Sequence, residues 1–245
     1  MVSPLLGRHL SRMRIISWNM GCGPRTRYRR THLDAWRYLL TELQPDVAFV
    51  QEALLNYTVA SEQGDLYWSA DRGSDSGTAV FVRAGIAASP LEVRSLGSYV
   101  AAVTVTHTDS PILLASAHVG PSNYQRHRLA LAEVLGQLVA EKRFVVGGDL
   151  NTARHWDKVY GGHQHTNFFE ALASRDFYDC HWMQHGKEVQ SFWGHQAKEA
   201  YQCDHLFTDN SSRAKVLDCS IIDNVDVRSL SDHGPICLTL LDDAA

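Results

Sequence analysis

Short apolar runs bounded by turn-forming residues recur along the chain, and this pattern limits the fold more than any other feature of the sequence. The runs are rich in Val, Ile, Leu, Ala and Phe, and Gly, Pro, Asn, Asp or Ser flank them, as is typical of β-strands. Stretches with apolar residues at helical spacing separate several of the runs. The predicted strands span residues 14–19, 46–52, 77–83, 99–107, 112–118, 143–148, 203–209, 216–222 and 235–241.

Helices are predicted in three of the intervening stretches. The first runs from Thr31 to Leu43, with Thr31 and Asp34 as its cap, the second follows a capping box at Ser122, and the third covers residues 167–174. The segment "TDSP" joins two of the strands as a hairpin. Because hairpins occur together with helical connections, the sheets should be mixed rather than purely parallel, and we predict an α/β fold.

Length and composition restrict the class of protein. The chain has 245 residues and a formal net charge of −4, which excludes a general polyanion-binding surface. We assign one domain to residues 13–245, after a loose extension at residues 1–12, and expect a monomer. Five cysteines without a CxxC pair favour reduced thiols and a cytoplasmic location. No apolar run reaches the ~20 residues of a membrane span.

Polar side chains stand at, or directly beside, the ends of several predicted strands, where they can meet at one rim of a sheet. Carboxylate oxygens hold Mg²⁺, and a carboxylate can activate water. Imidazole and amide groups can bind phosphoryl oxygens, so the set points to chemistry on a phosphoester. Its members are Asn19, Glu52, His118, Asp149, Asn151, Asp204, Asp232 and His233.

Each of these residues has an ordinary interpretation when it is taken alone, such as a solvated strand end or an Asx turn. The order of the motifs that contain these residues is more specific than any single residue. The motifs "SWNMG", "VQE", "SAH", "GGDLN", "CDHLF" and "SDHGP", in this order, resemble those of the endonuclease/exonuclease/phosphatase superfamily over residues 14–241. The resemblance implies a four-layer sandwich of two mixed β-sheets flanked by helices, and dependence on Mg²⁺ or Mn²⁺.

The resemblance also implies how the metal and the phosphate are held. Glu52 corresponds to the principal metal ligand of the superfamily, and Asp232 corresponds to a carboxylate close to the metal. Asn19 is similar to the asparagine that helps to order the metal and the phosphate. His118 matches a histidine that contacts the phosphate in the deoxyribonuclease-like branches.

The remaining site residues resemble the hydrolytic machinery. Asp149 looks like the residue that orients or deprotonates the attacking water, with Asn151 beside it. Asp204 would fix the ring of His233, and His233 would donate to the scissile phosphate. These roles are chemically consistent, because a carboxylate beside an imidazole raises the imidazole pKa and keeps the ring protonated.

A run of arginines follows the Asn19 turn and is expected to border the site. Arginine forks suit phosphates, and Tyr28 within the run can stack on a nucleobase. The first interpretation is therefore a nuclease acting on DNA or RNA, and a solvated basic loop is the alternative for the run. The arginines are Arg25, Arg27, Arg29 and Arg30.

Two other functions stay open. An enzyme of this superfamily can act on inositol phosphates, a phospholipid or another small phosphoester, although His205 stands where inositol 5-phosphatases have an arginine. A catalytically silent binding scaffold of the same fold is the third possibility, and the intact set of site residues argues against it. The histidine-rich stretch between His155 and His195 lacks cysteines at zinc-finger spacing, and we interpret it as a surface loop.

Overall fold

Two six-stranded sheets form the centre of the protein, whose computed structural model describes residues 12–21, 27–54, 57–70, 74–93, 99–106, 111–119, 124–140, 142–194 and 201–241. The strands in these ranges are β1 (Arg12–Asn19), β2 (Val47–Leu54), β3 (Gly64–Ser69), β4 (Ser76–Arg83), β5 (Ala88–Leu91), β6 (Val100–Val105), β7 (Ile112–Ala117), β8 (Arg143–Asp149), β9 (Tyr178–Asp179), β10 (Asp204–Thr208), β11 (Val216–Ile221) and β12 (Ile236–Leu241).

Both sheets are mixed, as predicted. Sheet A has the strand order β11–β12–β1–β2–β4–β3, and sheet B has the order β5–β6–β7–β8–β10–β9. Strand β1 runs parallel to β2, and β7 runs parallel to β8, whereas the other paired strands are antiparallel. The predicted strands are all present, and β3, β5 and β9 are additional.

Helices flank the two sheets. Residues Arg27–Arg30 form a 3₁₀ turn, and Leu39–Leu43 form a π-helical turn that continues the first α-helix. Thr31 does not cap that helix, because its hydroxyl donates to the Tyr28 carbonyl instead. The α-helices are α1 (His32–Tyr38), α2 (Tyr57–Ser61), α3 (Tyr124–Leu138), α4 (His155–Tyr160), α5 (Gln164–Ala173), α6 (Cys180–His185), α7 (Asn210–Arg213) and α8 (Val225–Leu230).

The side chains of the strands build three apolar layers. Alternation along β1 points Ile15 into the core between the sheets and Ile16 toward the helices outside sheet A. Trp36 of α1 is fully buried on that outer side, and Leu131 of α3 and Phe168 of α5 pack on the outer face of sheet B. Burial of each such side chain contributes roughly 1.5–3 kcal/mol. Helix, sheet, sheet and helix therefore form the expected four layers.

The two parallel strand pairs bring their carboxyl ends to one rim of the sandwich. Asn19 ends β1 and Asp149 ends β8, while Asp204 pairs directly with Asp149 across the antiparallel β8–β10 ladder. Gly148 makes the approach possible, because a Cβ there would lie 1.8 Å from the carbonyl oxygen of Ala117. The "GGD" segment thus lets the backbone come close enough to carry Asp149 into the rim.

Other expectations from the sequence have different outcomes. Strand β1 begins at Arg12, inside the predicted extension, and the Ser122 capping box lies outside the described residues. The interpretation of the histidine-rich stretch as a surface loop is wrong, because α4, α5 and α6 occupy most of it and His181 is buried. Among the helices described, none is both long and apolar enough to cross a membrane.

Candidate active site

Asn19 joins the two sheets at the centre of the rim. Its Nδ2 donates to Oδ2 of Asp149 at 2.9 Å and faces Oε1 of Glu52 at 3.4 Å. Its Oδ1 accepts a hydrogen bond from the backbone N–H of Gly21 at 2.8 Å. The amide nitrogen is therefore directed at the carboxylates, and Asn19 would have to turn its amide to offer an oxygen to a metal.

Glu52 owes its position to a β-bulge. The pairing of β2 with β4 shifts register between Val50 and Ala53, and Glu52 has a left-handed φ of 47°. Such a conformation is uncommon outside glycine and re-aims the side chain. The Glu52 side chain is 29% exposed, and its Oε1 lies 3.6 Å from Nε2 of His118. The sequence places Glu52 at the end of a strand, whereas in the structure it lies inside β2.

Asp149 is almost completely buried, and both of its carboxylate oxygens accept hydrogen bonds. The Asn151 backbone N–H donates to Oδ1 at 2.9 Å, and the Asn151 side chain donates to Oδ2 at 3.1 Å. The rings of His118 and His233 each place Nε2 3.8 Å from Oδ2. Burial raises the pKa of this carboxyl group; the two histidines oppose that rise and the negative charge of Asp204 adds to it. Asp149 is thus a carboxylate with increased basicity.

His233 is held by a buried carboxylate, as expected. Its Nδ1 lies 2.9 Å from Oδ2 of Asp204, which has no exposed surface. Burial alone would lower the pKa of His233, but the negative charges of Asp204 and then Asp149 outweigh it and raise the pKa to about 10. The ring is therefore an imidazolium at neutral pH, with Nε2 directed toward the side of Asp149.

Asp232 lies beside the turn that follows β1. A Cβ on Gly21, whose φ is 62°, would come within 2.8 Å of Oδ1 of Asp232. Burial raises the pKa of the Asp232 carboxyl group, while the charge of His233 lowers it and that of Glu52 raises it. The structure thus brings Asp232 into the electrostatic reach of Glu52.

Several supporting residues were not among the predicted site residues. The Ser191 hydroxyl donates to Oδ2 of Asp204 at 2.7 Å, and the Ser231 hydroxyl donates to the carbonyl oxygen of Asn19 at 2.7 Å. The ring of Phe192 packs 4.8 Å from that of His233. Ser231 belongs to the "SDHGP" motif, whereas Ser191 and Phe192 begin the stretch "SFWGHQAKEAYQCDHLF" that leads into the "CDHLF" motif.

Two groups of side chains at this rim have the donor atoms to hold a cation. Asp149, Asp204 and His233 each place one ligand atom within 4.8 Å of the others. However, a protonated His233 that uses Nδ1 on Asp204 is a poor ligand. The carboxylates of Glu52 and Asp232 form the second group, and they offer the hard oxygens that Mg²⁺ and Mn²⁺ prefer. The donor chemistry therefore fits a divalent cation.

The four predicted arginines have different surroundings in the structure. Arg25 lies outside the described residues. Arg27 and Arg30 are exposed on the 3₁₀ turn, and the charge of Asp232 acts on Arg27. Arg29 instead forms an ion pair with Asp75. Tyr28 is 7% exposed, so the interpretation of its ring as a stacking surface for a base is wrong.

Solved structures with the same fold include enzymes that act on nucleic acids. An AP endonuclease from Leishmania major superposes with a TM-score of 0.74 and 19% identity, covering 95% of this chain and 88% of its own. A 3′ phosphatase from Neisseria bound to product DNA hairpin superposes with a TM-score of 0.72 and 17% identity, covering 92% of this chain and 98% of its own. A humanised TDP2 from D. rerio superposes with a TM-score of 0.68 and 20% identity, covering 94% of this chain and 98% of its own.

At these identities the likeness shows the fold alone. No curated protein sequence matches the chain. The sequence model of the Endonuclease/Exonuclease/phosphatase family, in contrast, matches residues 16–233. That range includes every predicted site residue from Asn19 to His233. The chain therefore belongs to the endonuclease/exonuclease/phosphatase family.

Proposed function

We propose that this protein is a metal-dependent phosphodiesterase and that it acts as a nuclease on DNA or RNA. The observation that carries the proposal is the Asp204–His233 pair, whose imidazolium faces the buried carboxylate of Asp149 at 3.8 Å. A proton donor and a proton acceptor thus stand side by side at a rim where Glu52 offers a further carboxylate. This combination suits hydrolysis of a phosphoester by water.

Each side chain has a role in this mechanism. Asp149 orients the attacking water and accepts its proton, and the raised pKa of its carboxyl group favours that transfer. His233 donates from Nε2 to a phosphoryl oxygen, because its Nδ1 is occupied by Asp204. The amide of Asn19 fixes Asp149, and His118 stands where it can contact the same phosphate.

Glu52 and Asp232 are the proposed metal ligands. A divalent cation bound there would supply positive charge that neutralises the phosphoryl oxygens and makes phosphorus accessible to attack. Mg²⁺ and Mn²⁺ are the expected ions because both donors are carboxylates. Asn19 contributes by holding the carboxylates of Glu52 and Asp149.

Nucleic acid is the preferred substrate class. Arg27 and Arg30 are exposed beside the site and can neutralise backbone phosphates, and the names of similar structures include an AP endonuclease and a DNA-bound 3′ phosphatase. A small phosphoester such as an inositol phosphate is the second candidate. The Arg29–Asp75 ion pair favours this second candidate, because the pair leaves fewer arginines to bind the phosphates of a polymer.

A cytoplasmic location is proposed with this function. Cys180, Cys203, Cys219 and Cys237 are buried free thiols. Burial raises the pKa of the thiol groups of Cys180, Cys203 and Cys219, so they stay protonated and inert. Reduced thiols of this kind are typical of a reducing compartment.

A substrate panel tests the proposal. Purified protein with Mg²⁺ or Mn²⁺ is offered single- and double-stranded DNA, RNA, a 5′-tyrosyl oligonucleotide, inositol phosphates and bis-p-nitrophenyl phosphate. We expect hydrolysis of an oligonucleotide that stops with EDTA and returns with the metal. Hydrolysis of inositol phosphates alone would select the second candidate, and no hydrolysis with any substrate would support a silent scaffold.

A further inference from the structure

His205 follows Asp204 directly in β10 but occupies the opposite face of the strand. Alternation directs Asp204 toward the candidate active site and His205 toward the outer layer of sheet B. The His205 side chain is completely buried. The ring of Phe169 lies 5.0 Å from its ring, and that of Phe207 lies 5.9 Å away. A polar ring in these apolar surroundings requires specific partners.

Both nitrogens of the His205 ring face hydrogen-bond acceptors. Nε2 lies 3.0 Å from the carbonyl oxygens of both Thr152 and Gln202, and Nδ1 lies 3.2 Å from Oδ2 of Asp179. The Gln202 amide nitrogen makes a longer contact of 3.4 Å with Nδ1. Only a doubly protonated ring can donate from both nitrogens at once, so the geometry favours a buried cation at His205.

Further charged groups extend this arrangement. Arg154 places Nη1 2.8 Å from Oδ2 of Asp179 and 3.6 Å from Oε1 of Glu188. Glu188 also accepts hydrogen bonds from the backbone N–H groups of Arg154, at 2.7 Å, and His155, at 3.0 Å. His205, Asp179, Arg154 and Glu188 thus form a row of alternating charge, buried at His205 and Asp179 and partly exposed at Arg154, which we call the buried ion chain.

The buried ion chain fastens the segments that carry the active-site residues. Thr152 follows Asn151, whose side chain and backbone hold Asp149. Gln202 precedes Asp204 by two positions. The Nε2 atom of His205 therefore bridges the turn after β8 to the start of β10, at a point directly behind both candidate catalytic carboxylates.

We propose that His205, anchored by Asp179, is a positioning residue that sets the distance between the Asp149 turn and the Asp204–His233 pair. The inference rests on the hydrolytic function proposed above. Removal of the ring takes the His205 donor from two buried carbonyl groups and leaves Asp179 with Arg154 as its remaining charged partner, and such groups relax by shifting the backbone. Displacements on the scale of 1 Å cost large rate factors in positioned reactions.

Thr208 offers a matched control on the same strand. It lies at the other end of β10, is fully buried, and donates through Oγ1 to the carbonyl oxygen of Phe144 at 3.0 Å. Thr208→Val removes a buried hydrogen bond without touching the turn after β8. His205→Gln removes the ring and its charge, and Asp179→Asn removes the anchor if His205→Gln does not fold.

The first measurement compares kcat and KM for bis-p-nitrophenyl phosphate with the free energy of unfolding. We expect His205→Gln to lower kcat about tenfold or more with nearly unchanged KM, since positioning acts on the reacting groups and not on binding. Thr208→Val should lose stability and keep kcat. Equal kcat values in both variants would overturn the positioning role.

The second measurement does not depend on turnover. In ¹⁵N-histidine-labelled protein, the proton on Nδ1 of His233 reports the hydrogen bond to Asp204. We expect its NMR signal to shift or broaden in His205→Gln or Asp179→Asn and to stay in place in Thr208→Val. An unchanged signal in both His205→Gln and Asp179→Asn would refute the inference. A wild-type protein that is inactive on every substrate would refute only the proposed function.

Discussion

Oδ2 of Asp204 lies 2.9 Å from Nδ1 of His233, and the opposite nitrogen of that ring lies 3.8 Å from Oδ2 of Asp149. One imidazole thus stands between two buried carboxylates. The charges of Asp204 and Asp149 overcome the effect of burial and raise the pKa of His233 to about 10. A proton donor in this position remains charged across the physiological range, and it does so because of its carboxylate partners.

The first prediction concerns the pH dependence of activity. Asp204→Asn removes the charge that does most to raise the pKa of His233, so that pKa should fall. In the proposed mechanism the protonated ring is the active form, so activity is lost as pH rises through its pKa. The alkaline limb of the kcat/KM profile should therefore move to lower pH in the variant.

Ser191→Ala is the control for this experiment. It removes the hydroxyl that donates to Oδ2 of Asp204 at 2.7 Å but leaves the carboxylate charge in place. Its alkaline limb should move far less than that of Asp204→Asn. Identical profiles for wild type and Asp204→Asn would show that the protonation of His233 does not limit the reaction.

The second prediction concerns the group that activates water. Asp149→Asn keeps the shape of the side chain and removes its charge, and we expect a rate loss of at least ~10²-fold. The amide still accepts the hydrogen bond from the Asn151 backbone N–H, but its nitrogen would face the amide nitrogens of Asn19 and Asn151, so urea unfolding must show that the variant is folded. Turnover close to wild type, measured under saturating Mg²⁺, would assign Asp149 a different role.

Much of this site could be predicted because it depends on strand ends, which apolar runs and turn residues mark in the sequence. Asn19, Asp149 and Asp204 stand where those runs predicted. Glu52 was harder to place, because nothing in "VQEAL" signals a bulge that rotates its backbone to a φ of 47°. The capping role expected of Thr31 was wrong because its hydroxyl has a nearer backbone acceptor in the preceding turn.

Contacts between residues distant in sequence could not be predicted from the residues alone. Ser191 reaches Asp204 only because the two sheets and their loops are assembled, and no local pattern links them. Similarly, the "RTRYRR" run gave no sign that Arg29 pairs with Asp75 while Tyr28 turns inward. Composition identifies groups suited to phosphate, but tertiary contacts decide which of them remain available.

The third prediction distinguishes the two groups that have donors for a cation. Glu52→Gln removes a proposed ligand, and we expect Mn²⁺ affinity to fall on the order of 10-fold or more. Asp204→Asn should change that affinity much less, because Asp204 is occupied by His233 and Ser191. Isothermal titration calorimetry with Mn²⁺ measures both variants. The reverse order of effects would place the ion at Asp149, Asp204 and His233.

The fourth prediction concerns stability. The Asp209 carboxylate caps α7 through the Ser212 N–H and also accepts from the Phe144 N–H, both at 2.9 Å. Asp209→Ala should cost about 2 kcal/mol of unfolding free energy, because it removes a cap and orphans a buried donor. Urea unfolding at pH 7 measures the loss. Asp209→Asn, which keeps one acceptor oxygen, should lose less.

The same carboxylate gives a pH signature. Burial alone would raise the pKa of Asp209, but its hydrogen bonds lower it below the usual value near 4. Its ionised form therefore contributes fully above pH ~4, and the contribution is lost as pH falls from there through the folded-state pKa. The stability gap between wild type and Asp209→Ala should narrow at pH 3. A gap independent of pH would contradict a role for the charge.

The last prediction separates nucleic acid from a small phosphoester. Arginines that neutralise backbone phosphates release counterions, so log affinity falls with log salt by ~0.9 per phosphate for duplex and ~0.7 for single strands. Arg27→Ala with Arg30→Ala should weaken oligonucleotide binding and flatten this slope by ~1 to 2 units. Hydrolysis of bis-p-nitrophenyl phosphate should barely change, because the groups that attack phosphorus are intact. Arg213→Ala, an exposed charge on α7, is the matched control and should leave the slope as it is. No detectable oligonucleotide binding by wild type at low salt would favour the small phosphoester instead.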